Sequence, residues 1–300
     1  MVDFRGGRAA HSSYGFRFRP LANPEGGENE SGDRIEEGIA IFFIFLWPQM
    51  KKYLFIAILA TLSASPLFSQ QVYNMSFDTW SKSSGAWNLY AKDAKSSQKI
   101  WDTANKGLSL LGINGTTPEY KHVAVAGEGK AAAKIESKKV LWAFVAGNLY
   151  TGNFVRIVNF AGAELNFGIP FNARPRSLSG YVHYIPKPIN YAKAPYLDKK
   201  GQLDSGKIEV VLTDWDKPYN IVTNDEEFID GATDPHVIGR GVLNLNKDTG
   251  DYIHFDIPID YRSGKTPKYV VIVVAASNLG DYFTGGSGST MYVDEFQFNY

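Results

Sequence analysis

Three tryptophans, Trp80, Trp87 and Trp101, fall close together in the sequence, interleaved with Asn88, Tyr90, Asp102 and Asn105. A flat indole stacks on the apolar face of a pyranose while neighbouring amides and carboxylates bond its hydroxyls, so this is the composition of a sugar platform. Trp101 and Asn105 are its leading candidates. The alternative for Trp80 and Trp87 is a place in a core or lid, and Trp142, inside an apolar run, reads as core. A second group is Arg174, Tyr181, His183 and Tyr184. The Arg174 guanidinium offers a planar fork for a carboxylate, whether of the protein or of an acidic sugar. Tyr181 and His183 share one face of an extended strand. A third group is the glycine-rich run 280–289, which brings Asp281, Tyr282 and Thr284 onto a loop able to fold tightly. That loop leads into a strand, with no Gly-Lys-Ser or Gly-Lys-Thr opening a helix, so it is not a nucleotide-phosphate loop.

Hydrolysis of a glycosidic bond needs one protonated and one ionised carboxyl, about 5–5.5 Å or about 6.5–9.5 Å apart. Asp214 and Asp216, on either side of Trp215, are the best local pair, since alternation puts both on one strand face. The same stretch also reads as an ordinary strand-to-turn transition. No Gly-x-Ser-x-Gly elbow supports a serine esterase. The chain has no cysteine, which removes thiolate catalysis, iron–sulfur clusters and cysteine zinc sites. His122, His183, His236 and His254 are scattered and form no His-Glu-x-x-His motif, which disfavours zinc. With 31 basic and 31 acidic residues, nothing steers the chain toward nucleic acid.

The elements that must position these groups are short β-like runs divided by turn residues. Strands are expected at 71–77, 138–145, 154–160, 178–186, 208–214, 254–259, 269–276 and 290–300, most of them rich in β-branched or aromatic residues. In the last, simple alternation sends Met291, Val293, Glu295 and Gln297 one way and Tyr292, Asp294, Phe296 and Phe298 the other. Helical signal is confined to a short turn within 91–110 and another near 225–229, capped by Asn224. The fold class is therefore all-β, an antiparallel β-sandwich with long loops at one end, the longest at 78–120 and 186–206.

Met50, Lys51 and Lys52 precede an apolar run at 53–62 and a small-residue exit ending at Ser69, the three parts of a secretory signal peptide. The expected organisation is an upstream extension at 1–49 that belongs to no domain, a signal peptide at 50–69, and one domain at 70–300. The competing reading, a membrane anchor over 39–62, is opposed by Pro48, Gln49, Lys51 and Lys52 within it.

Several blocks carry a family resemblance. They are Ser76-Phe77-Asp78-Thr79-Trp80, Ile100-Trp101-Asp102-Thr103-Ala104-Asn105, Ala146-Gly147-Asn148-Leu149-Tyr150-Thr151-Gly152, and Phe167-Gly168-Ile169-Pro170-Phe171 with Arg174-Pro175 and Leu178-Ser179-Gly180-Tyr181. The run 277–289 then leads into Tyr292-Val293-Asp294-Glu295-Phe296. Together they span about residues 72–299, and by them the chain resembles the putative carbohydrate metabolism domain of secreted and surface proteins of gut and oral Bacteroidetes. The resemblance implies a jelly-roll sandwich similar to non-catalytic carbohydrate-binding modules. With the leader it implies a secreted, periplasmic or cell-surface accessory domain that binds a glycan or cell-surface component; a monomer is expected, and balanced charge and the lack of a phosphate loop speak against nucleic acid and nucleotide. A structural or adhesive protein-binding domain and an uncharacterised glycoside hydrolase are the alternatives. Jelly-roll modules often hold a structural Ca²⁺ between first and last strands, and Asp78 and Asp294 are the hard oxygen donors so placed here.

Overall fold

The computed structural model describes residues 69–125, 129–141, 143–159, 162–223 and 229–300. The expected upstream extension, the expected leader as far as residue 68, Trp142, and residues 224–228 of the helical turn expected near 225–229 lie outside them. In chain order the strands are β1 (Ser81–Ser83), β2 (Ala86–Asn88), β3 (Trp101–Asp102), β4 (Thr116–Glu119), β5 (Ala132–Glu136), β6 (Lys138–Val140), β7 (Ala143–Val145), β8 (Asn148–Val158) and β9 (Gly162–Phe167). They continue as β10 (Ile169–Pro170), β11 (Ser177–Ile185), β12 (Gly206–Thr213), β13 (Tyr219–Val222), β14 (Val237–Leu245), β15 (Ile253–Pro258), β16 (Asp260–Tyr261), β17 (Tyr269–Ala275) and β18 (Thr290–Asn299). Nine of them form one antiparallel sheet in the order β13-β9-β8-β17-β12-β14-β16, with β3 added on β8 and β10 on β17. Five form the second, β15-β11-β18-β5-β4. Neighbours distant in sequence are the interleaving of a jelly roll, and the expected antiparallel β-sandwich is the fold of this chain.

Period-2 alternation builds the core between the sheets. Ile208, Val210 and Leu212 of β12 and Val270, Ile272 and Val274 of β17 face Leu178, Val182 and Tyr184 of β11 and Met291, Val293, Phe296 and Phe298 of β18. Each side chain so buried stabilises the fold by about 1.5–3 kcal/mol relative to exposure. Tyr184 is fully buried, and its hydroxyl donates to the Ala276 carbonyl at 3.0 Å. β17 is apolar on both faces because its outward Val271 is covered by Val211, Trp215 and Val237.

The expected alternation of the last strand is corrected by a bulge. Register between β11 and β18 shifts at Ser179/Tyr181, and Glu295 takes φ 48°. One extra residue re-phases the strand, so Met291 and Val293 before it and Phe296 and Phe298 after it all point inward. Gly180 permits this: a Cβ there would lie 2.6 Å from the Phe296 ring.

Two further expectations are corrected. Residues 71–77 form turns and no strand. The N-terminal segment joins the sheet through a side chain, the Gln71 amide, which donates to the Phe298 carbonyl and accepts the Phe298 N–H, both at 2.8 Å. The single strand expected at 138–145 is a hairpin, β6 paired with β7 around Leu141 at φ 54°. A one-turn helix, Asn105–Leu108, stands where helical signal was expected in 91–110.

Candidate functional site

The bulge and the outward positions of β11 and β15 make a groove on the outer face of the five-stranded sheet. It encloses about 550 Å³ and is lined by Tyr181, His254, Ser179, Gln71, Gln297 and Glu295 among others. Tyr181 and His254 are cross-strand partners whose rings meet edge to face at 5.3 Å. Two aromatic rings among amide, hydroxyl and carboxylate groups give both an apolar platform and hydrogen-bonding partners.

Beside the groove lies an acidic corner. Asp294, opposite Tyr181 in the register, is 1% exposed. Its Oδ2 accepts the Ala124 N–H at 2.9 Å and its Oδ1 the Glu295 N–H at 3.0 Å. Burial pushes its pKa up to about 6, the nearby charge of Asp78 adds to the rise, and the two amide bonds oppose it. Asp78 accepts the backbone N–H groups of Lys130 and of Ala131, the latter at 2.9 Å. Gly129, at φ 71°, closes the corner: a Cβ there would stand 2.7 Å from Glu295 Oε1 and 3.3 Å from Asp78 Oδ1. The Glu295 and Asp78 carboxylates thus flank a glycine where no side chain would fit, with Asp294 next in the chain to Glu295.

Two residues along β11 from Tyr181, on the same face, stands His183. Its Nδ1 is 2.9 Å from Nε2 of His122, which in turn is 3.7 Å from Oδ1 of Asp251. Tyr292 stacks on His183 at 5.5 Å, and Tyr252 lies against His122 at 4.7 Å while its hydroxyl donates to the His122 carbonyl. Burial, followed by His122, holds the His183 pKa below the usual imidazole range, against the charges of Asp248 and Asp251.

The remaining expected residues do not join this face. Trp101 is 1% exposed, set edge-on to Phe77 at 5.5 Å, with its indole N–H on the Tyr73 carbonyl at 2.7 Å. No ring face is left for a sugar, so the expectation of a platform there is corrected. Asn105, equally buried, donates to the carbonyls of Trp87 and Thr116 and accepts the N–H groups of Gly115 and Thr116. All its capacity is used in ordering the N-terminal loops. Arg174 lies 4.0 Å from the Tyr261 ring centroid and donates to the carbonyls of Ser263 and Lys265, clamping a turn in place of a carboxylate. Asp281 is exposed, and Tyr282 packs edge-on to Tyr196 at 4.9 Å.

Asp214 bonds His236 at 2.8 Å and Lys265 at 2.6 Å, and Asp216 bonds Lys268 at 2.7 Å. These contacts hold both carboxyls below the usual range, hydrogen bonds from Lys265 and His236 in one case and from Lys268 in the other. With neither able to keep a proton near neutrality, this pair lacks the acid that glycoside hydrolysis requires. Of the expected residues, Tyr181 lines the groove, and Asp78 and Asp294 form the acidic corner next to its Glu295. His254, Gln71, Gln297 and Glu295 were missed, because what unites them is strand pairing and a side-chain bond that bring together segments as many as 227 positions apart.

A profile of the putative carbohydrate metabolism domain matches residues 76–299. Among solved structures, a putative glycoside hydrolase from Bacteroides thetaiotaomicron superposes with a TM-score of 0.57 at 20% identity, over 77% of this chain and 71% of that one. A second, from Bacteroides vulgatus, gives 0.54 at 19% identity, over 74% and 94%. At such identities the likeness is one of fold. No curated protein matches the chain.

Proposed function

The chain belongs to the putative carbohydrate metabolism domain family, and from that premise we propose that it is an exported, non-catalytic glycan-binding domain whose contact face is the groove on the five-stranded sheet. The observation that carries this reading is the Tyr181–His254 platform set among Ser179, Gln71, Gln297 and Glu295. Export rests on the signal peptide at 50–69. N-terminal sequencing of the secreted protein should begin near Gln70, and a product retaining residues 1–49 would contradict it.

The acidic corner suits Ca²⁺, since hard oxygens, a backbone fold held by amides and mutual repulsion between carboxyls are what such a cation relieves. Asp78 and Asp294 would hold it, with Glu295 in reach, and its chemistry there would be charge neutralisation that fastens Ala124, Lys130 and Ala131, whose amides meet these carboxylates, to β18. Calcium should raise the melting temperature of chelator-treated protein and fail to do so in Asp294→Asn. No heat of binding and no rise would remove the ion from the account.

A glycoside hydrolase is the second reading, favoured by the arrangement of two carboxyls in one corner, Asp294, which burial raises toward the range of a general acid, and Asp78, whose charge acts on it. The test is a glycan array spanning host mucin and plant polysaccharides, with reducing-sugar release measured on every glycan bound. Binding without release supports the first reading. Release that disappears in Asp294→Asn supports the second, and failure to bind any glycan while capturing a protein would favour an adhesive domain.

A further inference from the structure

His122 and His183 are 61 positions apart in the chain, yet the fold sets their ring nitrogens face to face at 2.9 Å, with the Asp251 carboxylate 3.7 Å from His122. One ligand atom from each residue lies within 4.8 Å of the other two. We propose that His122, His183 and Asp251 bind a divalent first-row transition cation of the zinc type. The sequence disfavoured zinc because its histidines are scattered, and the meeting of a β11 residue with the β4–β5 connection removes that objection for two of them.

Two nitrogens at this separation subtend roughly 90° at an ion about 2.05 Å from each, and moving them about 0.4 Å further apart gives the tetrahedral angle. Imidazole nitrogens select zinc, copper, iron or nickel over calcium, which takes oxygen donors. The surroundings fix the ligands in place. Tyr292 stacks on His183, and Tyr252 presses on His122 while bonding its carbonyl. Asp251 is 79% exposed, leaving the side of the site away from these rings open for water or a further ligand.

The three ligands come from separate elements. His183 is in β11, His122 in the connection between β4 and β5, and Asp251 in the turn between β14 and β15. A metal here therefore ties two loops to the outer face of the five-stranded sheet. One of those loops also carries Ala124, which bonds Asp294, and Val125, which lines the groove. The metal site does not depend on the glycan reading, because its ligands are not the groove's contact residues.

The test is titration of the metal-free full chain, without a polyhistidine tag, with Zn²⁺ and with Co²⁺ as a spectroscopic probe. The expected result is one equivalent bound, a visible Co²⁺ ligand-field band, and no displacement by Ca²⁺. His122→Ala should weaken Zn²⁺ binding at least tenfold and abolish the band. Asp251→Asn, at an exposed position that leaves folding unchanged, should weaken it several-fold. His236→Ala, at the separate His236–Asp214 pair, should change neither. Binding of less than one equivalent, equal affinity in His122→Ala and Asp251→Asn, or loss in His236→Ala would overturn the proposal and leave the two imidazoles as a plain N–H···N hydrogen bond.

Discussion

Asp214 and Asp216, just beyond the end of β12, are each met by a lysine ammonium, at 2.6 and 2.7 Å, whereas Asp78 and Asp294, beside the groove, are held by backbone amides. The first pair is two positions apart in sequence and the second is separated by most of the domain. Closeness in sequence made Asp214 and Asp216 the easier pair to notice, but lysines hold both ionised and leave little charge for a ligand to satisfy. The carboxyls at the groove repel each other, and burial raises one of them to about pH 6. A proton, a cation or a sugar hydroxyl can each relieve that condition. The difference shows that the local sequence pattern of a carboxylate pair says less than which counter-charges the fold brings to it.

The largest expected effect separates the core from the contact face. Trp101→Ala should cost about 3–5 kcal/mol in chemical denaturation, as for other buried large aromatics. Tyr181→Ala, at a half-buried position on the outer face, should cost about 1 kcal/mol or less. If Tyr181→Ala proved the more damaging, Tyr181 would belong to the core and the groove would lose its platform.

The next effect distinguishes the two carboxylate regions by pH. Asp294 binds its proton more tightly in the folded state, so its contribution to stability is complete below about pH 4 and is lost as pH rises toward 6. Asp214 has the opposite sign: its folded pKa is lowered, so its contribution is present above about pH 4 and disappears on acidification below it. Melting temperatures of wild type minus Asp294→Asn should therefore fall between pH 4 and 6, while wild type minus Asp214→Asn should be flat there and fall at lower pH. Equal slopes for the two variants would erase the contrast.

The smallest effect is that of the lysine-paired site near neutrality. Asp214→Asn should cost at most about 1 kcal/mol, since Lys265 is largely exposed, and the difference should shrink with added salt. A larger, salt-insensitive loss would mean that the pair does more than decorate the sheet's end.

Much of the fold was legible. The runs at 208–214, 269–276 and 290–300 correspond to β12, β17 and β18 because β-branched and aromatic residues alternate or run together there. β14 was missed because Gly239 and Gly241 interrupt its pattern. Those glycines are required by contact, as a Cβ on Gly241 would lie 2.5 Å from the Pro258 carbonyl oxygen. β5 was missed because Ala-Ala-Lys-Ile-Glu has the composition of a helix, and sheet pairing with β18 overrides that preference.

The site was less legible. Tyr181, Asp78 and Asp294 could be named from residue type, but the bulge that turns Asp294 and Glu295 toward one corner depends on Gly180 in another strand. Trp101 misled for a related reason: an indole suits a sugar and a core equally, and only the Tyr73 carbonyl and the Phe77 ring decide between them.

The most direct test of the central claim is quantitative binding of the best glycan from the array to wild type, Tyr181→Ala and the Asp214→Asn/Asp216→Asn double variant, each first shown to be folded. The groove account predicts that Tyr181→Ala loses binding by tenfold or more while the double variant binds as wild type does. Unchanged binding in Tyr181→Ala, with loss in the double variant, would contradict it and move the contact face to the end of β12.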